Sequence, residues 1–237
     1  MGRHMTKFWV GVSGFSYPKW KGTFYPDSTK TEDMLRVYSE RLNSVEINST
    51  FYAMPTSKIA SQWRESTDPG FLFSFKMNRR ITHIKKLRDT AAETSSFLSA
   101  VRPLSGKLGC LLVQLPPYVR LDMALLEKFL TEQDQSARYA YEFRHSSWFK
   151  DEVYKLLARY NCALCVADTE DMAPEFQKTA SFTYVRLRQN RYSDRQLEDY
   201  SRKIRLFSSS SDDCFVYFKH DETGEAARMA VDFQKLL

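Results

Sequence analysis

Two glutamates sit where strand-like runs turn polar: Val45-Glu46-Ile47-Asn48-Ser49-Thr50 and Tyr141-Glu142-Phe143-Arg144-His145. Alternation along an extended chain sends Val45 and Ile47 to one side and Glu46, Asn48 and Thr50 to the other, and it likewise aligns Glu142 with Arg144. A carboxylate in a partly dry cleft can be tuned by a neighbouring Lys or Arg, so Glu46 and Glu142 are the expected acid/base pair. Other runs also end in polar groups: Lys76, Gln114, Asp168, Arg186 with Arg188, and Lys219. With Arg144, the late-strand set holds five cations against three carboxylates, a balance that attracts an anion. The expected substrate-binding residues are Asn48, Tyr17, Lys76, Gln114, Arg144, His145, Asp168, Arg186, Arg188 and Lys219. The competing expectation is that the glutamates and arginines satisfy one another as a closed ion-pair network. Carboxylates about 5 Å or about 6.5–9.5 Å apart would suit glycoside hydrolysis, but the surplus of cations favours an anionic substrate.

Other motifs are weaker. Gly11-Val12-Ser13-Gly14-Phe15-Ser16-Tyr17 could cradle an anion on backbone N–H groups, yet it matches neither the dinucleotide nor the phosphate-loop pattern, and a tight glycine turn explains it as well. Tyr17, Trp20, Phe24 and Tyr25 could wall the mouth or simply pack a long loop. His83, His145 and His220 lie on three different segments, so no cofactor and no metal ligand set is expected; one divalent ion on carboxylates and a single His is the alternative. Cys162-Ala163-Leu164-Cys165 runs from a helix end into a strand, whereas a redox pair needs a helix N-terminus, so all four cysteines are read as reduced core residues. Basic residues gather at Arg79, Arg80, Lys85, Lys86 and Arg88, and again at Arg191 and Arg195, as a rim for a nucleic-acid backbone or as solvated loop charge.

The elements that must position these residues follow from periodicity. Eight strand-like runs are predicted: Phe8 to Gly14, Ser44 to Phe51, Leu72 to Met77, Gly109 to Pro116, Arg138 to His145, Ala163 to Asp168, Phe182 to Arg188 and Cys214 to His220. Helical segments are predicted over Thr31 to Leu42, Ser57 to Ser66, Thr90 to Leu104, Asp122 to Leu130, Ser147 to Tyr160, Asp194 to Phe207 and Gly224 to Leu237. Alternation of this kind in 237 residues predicts an α/β fold, a single (β/α)8 TIM barrel over 6–237. Too few residues separate Asp168 from Phe182 for a full covering helix, so the sixth helix should be short or irregular. Met1 to Met5 (MGRHM) reads as a cloning scar. No signal peptide or membrane-spanning run is visible, and reduced cysteines suit the cytoplasm. The formal charge of +6 points to an anionic small molecule or nucleic acid as partner, with no membrane role.

Several of these blocks together resemble one family. GVSGFSY, Phe24-Tyr25-Pro26, VEINSTFY over 45–52, Ile81-Thr82-His83, Lys107-Leu108-Gly109, QLPP over 114–117, EFRH with Ser147-Trp148, and Tyr217-Phe218-Lys219-His220 are similar to the YecE-like family, a TIM-barrel domain of unknown function. The similarity runs from Val10 to the last helix. It departs at Val12 and Phe15, where Thr and Trp would be expected, and at Arg188-Gln189, where many members carry His-Gly. The resemblance implies the fold but no reaction; a likeness to phosphate-ester-cleaving barrels is a fold-level analogy. From the convergence of charged late-strand residues, the expected function is an enzyme, a hydrolase of phosphate esters, acting on a phosphorylated or nucleic-acid-derived substrate at the carboxyl-end mouth. A non-catalytic nucleic-acid or metabolite-binding protein is the alternative.

Overall fold

A computed structural model describes residues 5–169 and 174–237. Of the predicted scar, residues 1–4 lie outside the described residues. Eight strands form one parallel sheet: β1 (Lys7–Val12), β2 (Ser44–Ile47), β3 (Leu72–Lys76), β4 (Leu108–Gln114), β5 (Tyr139–Glu142), β6 (Ala163–Asp168), β7 (Thr183–Leu187) and β8 (Asp213–Phe218). Their order runs β1-β8-β7-β6-β5-β4-β3-β2, which brings the first two strands together and makes a TIM barrel. The helices are α1 (Met34–Ser39), α2 (Ser57–Glu65), α3 (Ala91–Val101), α4 (Met123–Thr131), α5 (Asp151–Arg159), α6 (Asp194–Phe207) and α7 (Glu225–Lys235). Between β6 and β7, none of the described residues is helical, as the short connection predicts.

Sequence chemistry sets the helix starts. Thr56 accepts from Ile59 N, Asp122 from Leu125 N, and Ser193 with Gln196 forms a reciprocal capping box at α6. The strands divide their side chains between two cores. Val10, Val45, Phe73, Phe75, Leu111, Val113, Leu164, Val166, Val185 and Val216 face the helices. Trp9, Leu72, Cys110, Leu112, Ala140, Ala163, Cys165, Phe215 and Tyr217 fill the barrel.

The β1–β2 seam closes by a different route from the rest. A single bridge, Ser13 with Glu46, joins them, and side chains supply the missing ladder. Asn43 accepts from Val10 N at 2.7 Å and donates to Phe8 O at 2.8 Å, while the Tyr38 hydroxyl accepts from Val12 N and donates to Ser44 O. Gly11 permits the approach, since a Cβ there would lie 2.0 Å from Ser44 O.

Candidate active site at the carboxyl ends of the strands

The predicted acid/base pair is buried and mutually committed. Arg186 on β7 donates from Nη2 to Glu46 Oε1 at 2.8 Å and from Nη1 to Glu142 Oε2 at 2.5 Å, and all three side chains are at most 1% exposed. Glu46 also accepts from Ser13 Oγ and from the Tyr184 hydroxyl. Glu142 Oε1 accepts from Gln114 Nε2 and Arg144 Nε. Each carboxylate oxygen thus has a donor.

Burial by itself would raise both carboxyls. The nearby guanidinium charges of Arg186 with Arg188 at Glu46, and of Arg186 with Arg144 at Glu142, outweigh it and hold both below their ordinary range, Glu142 at about 2. Both glutamates thus sit in the ion-pair network that is the competing expectation, with Arg186 bridging them and every carboxylate oxygen already accepting from a donor. The Arg186 guanidinium bridges the two carboxylates, so they do not flank an open gap as glycoside-hydrolase geometry would require.

Three cations rise above this network. Arg188 donates from Nη1 to Ser13 Oγ at 2.9 Å, and its acidity is pushed to about 10 by burial and by the Arg186 charge. Arg144 keeps its terminal nitrogens beyond the one bond from Nε, with its side chain 39% exposed. Lys76 holds its ammonium 4.0 Å above the Phe51 ring and has no ion-pair partner among the described residues. Burial, with the Arg186 charge, pulls Lys76 down to about 8. His83 packs edge-on against the same Phe51 ring, with centroids 4.7 Å apart. Burial, then Lys76 and Arg144, brings His83 to about 4, so it is neutral at pH 7. Two buried atoms in this region lack a partner: Asn48 Oδ1 and Arg186 Nε.

The other predicted residues divide. Tyr17 reaches the mouth, stacked on His220 at 5.1 Å and 6° and donating to Ser13 O. Lys219 donates to Asn190 Oδ1 at the rim. Gln114 is spent on Glu142, and His145 caps its own turn by accepting from Ser147 N. Asp168 is a correction: it leaves the barrel interior and accepts from Gln189 Nε2 and the Tyr192 hydroxyl outside it. Its departure leaves five cations facing two carboxylates. Thr50 also turns away, because the chain leaves β2 at Asn48 and the Thr50 hydroxyl bonds to the Ile47 and Lys76 carbonyls. Trp20, Phe24 and Tyr25 are buried in loop packing.

Sequence reasoning missed Ser13 and Tyr184, although alternation from Trp9 and from Arg186 places both inside. Phe51 carried no signal, since its place under Lys76 depends on the turn that ends β2. Among the described residues no group of three or more His, Cys, Asp or Glu could hold a metal ion. All four cysteines are buried thiols.

Comparison with known proteins agrees with this fold. The profile of a protein family of unknown function, DUF72, matches residues 9–237. The UPF0759 protein YecE of Escherichia coli K12 is 31% identical over 142 residues, 60% of this chain, and the match spans half the length of that relative. The UPF0759 protein YunF of Bacillus subtilis 168 is 23% identical, with 97% of this chain and 94% of YunF covered. Among solved structures, a DUF72 family protein of Thermotoga maritima superposes with a TM-score of 0.86 at 26% identity, covering 97% of this chain and 98% of its own. One from Enterococcus faecalis, at 20% identity and a TM-score of 0.82, shares the fold. With a family profile matched over almost its whole length and a barrel that superposes on a solved member, the chain belongs to the DUF72 family.

Proposed function

We propose that the mouth binds an anionic ligand, a phosphorylated small molecule or a nucleic-acid-derived phosphate, and that the protein is an enzyme acting on it. One observation carries the reading: Lys76, Arg144 and Arg188 converge above two carboxylates whose oxygens already have donors. Cations left in excess inside a partly dry cleft are costly unless an anion completes them. Arg144 and Arg188 hold the charge. Proton transfer near neutral pH falls to Lys76, at about 8, rather than to the glutamates. Thermal unfolding in phosphate, sulfate and chloride at equal ionic strength tests the binding step. A saturable rise in Tm with phosphate, lost in Arg144→Met/Arg188→Met, is expected; equal Tm in all three salts rejects the reading.

A second reading, strand binding along the rim without catalysis, draws on Tyr52 and Tyr118, both exposed, and on Lys86 lying 5.2 Å over the Tyr118 ring. It is weakened by pairing within the rim itself: Arg80 and Lys85 both bind Glu93, and Arg88 binds Asp122. Fluorescence anisotropy with short oligonucleotides at two salt concentrations separates the readings, because rim binding must weaken steeply with salt.

A further inference from the structure

We infer that Lys76 is a nucleophile that forms an imine with an anionic aldehyde or ketone held in the mouth. This rests on the anion-binding reading and narrows its substrate class to carbonyl compounds carrying a carboxylate or phosphate. The geometry is that of an amine-reactive lysine. Lys76 ends β3 on the inward side of the barrel and the described residues give it no carboxylate to bind; its ammonium has only the face of the Phe51 ring, a cation–π contact weaker than an ion pair that the amine gives up on reacting. Glu46 on the neighbouring β2 and Glu142 on β5 are already bonded to Arg186 and their other donors. A lysine that is desolvated and set beside other cations is the recognised way to keep an amine neutral enough to attack.

The groups facing Lys76 act in both directions. Arg186 on β7 and Arg144 after β5 favour the neutral amine, and Glu142 and Glu46 oppose them. The result, about 8, leaves on the order of a hundredfold more free amine at neutral pH than an exposed lysine has. His83, on the loop after β3, packs on the same Phe51 ring and is neutral in the same range.

The step balances without an outside reagent. The Lys76 nitrogen lone pair attacks the carbonyl carbon, a C–N bond forms, and the C=O π electrons pass to oxygen. The proton shed by nitrogen goes to that oxygen, giving a carbinolamine. The C–O bond then breaks, the hydroxyl leaves as water with the remaining nitrogen proton, and the nitrogen lone pair closes the C=N bond. Arg144 and Arg188 hold the anionic end of the substrate, and this selects an anionic over a neutral carbonyl.

Glyoxylate, the smallest anionic aldehyde, is the probe, with glycolaldehyde as its neutral counterpart. Protein is incubated with each at pH 7.5, trapped with cyanoborohydride and mapped by peptide mass spectrometry, with and without excess inorganic phosphate. The expected result is at least about tenfold more labelling by glyoxylate at Lys76 than at exposed Lys58, suppressed by phosphate and weaker with glycolaldehyde. Lys76→Arg removes that label while keeping the cation, and its circular dichroism reports the fold. Phosphate stabilisation without preferential labelling of Lys76 overturns the imine and leaves the anion reading intact. Absence of both overturns the two together. Labelling of Lys76 that phosphate does not suppress overturns the link between the nucleophile and the anion site.

Discussion

Arg186 carries a different load from the residues it joins. It is the counter-ion of both Glu46 and Glu142 at full burial, so Arg186→Met leaves Glu46 without an ion-pair partner and Glu142 with Arg144 alone. The expected loss is about 3–5 kcal/mol in urea unfolding at pH 7. A variant as stable as the wild type would show the network to be dispensable. The pH response follows from Glu142, whose folded carboxyl sits at about 2, below its unfolded value. A depressed acid contributes stability that is complete above the unfolded pKa and is lost as pH falls through the folded one. Wild-type stability should therefore drop between about pH 4.5 and about pH 2, by about 3 kcal/mol from this group. In Arg186→Met the gap to wild type should narrow on acidification, since protonation relieves unpaired buried charge. The cysteines make a simpler case. Burial pushes Cys162 to about 12, Cys214 to about 11, and Cys110 and Cys165 higher than their ordinary range. A disulfide-exchange reagent should find no reactive thiol in the native protein and four after unfolding.

Between elements, the weak joint is the β1–β2 seam, where Asn43 and Tyr38 replace a backbone ladder. Asn43→Ala removes an acceptor and a donor from buried backbone and should cost about 2 kcal/mol. The Val10 and Val12 amides should then exchange with deuterium faster, while the β7–β8 amides do not change. Gly11→Ala should cost more, about 3 kcal/mol, because the new methyl meets a carbonyl oxygen rather than a yielding side chain. Ser13, which joins Glu46 to Arg188, sits at the end of this seam, so loosening it should also weaken phosphate binding. The same scale shows what could be read from the chain. β6 and α6 start and stop where they are predicted, because a continuous apolar run ending at Asp168 marks the one and a Ser193 cap opens the other. β2 and β5 end earlier than predicted, at Ile47 and Glu142, where tight turns take over from strand-forming residues. Asp168 was placed inside since β6, ALCVAD, is apolar on both faces and alternation then cannot distinguish inward from outward. Glu46 and Glu142 were legible as interior residues, but their union through Arg186 spans 140 and 44 residues of sequence and depends on barrel closure.

For the whole molecule, the formal +6 divides into two populations. Much of the loop charge is already paired, through Glu93 and Asp122, and through Asp89 with Lys128. The mouth adds Lys76 on the Phe51 ring and Arg188 on Ser13 Oγ, neither bonded to a carboxylate among the described residues. No described helix is long and apolar enough to cross a membrane. Diffraction from crystals soaked in phosphate tests the assignment of that excess charge most directly. The expected difference density is one tetrahedral ion within hydrogen-bond reach of Arg144, Arg188 and Lys76, absent in Arg144→Met/Arg188→Met. Phosphate bound only to the outer rim, with the mouth unchanged, would contradict it.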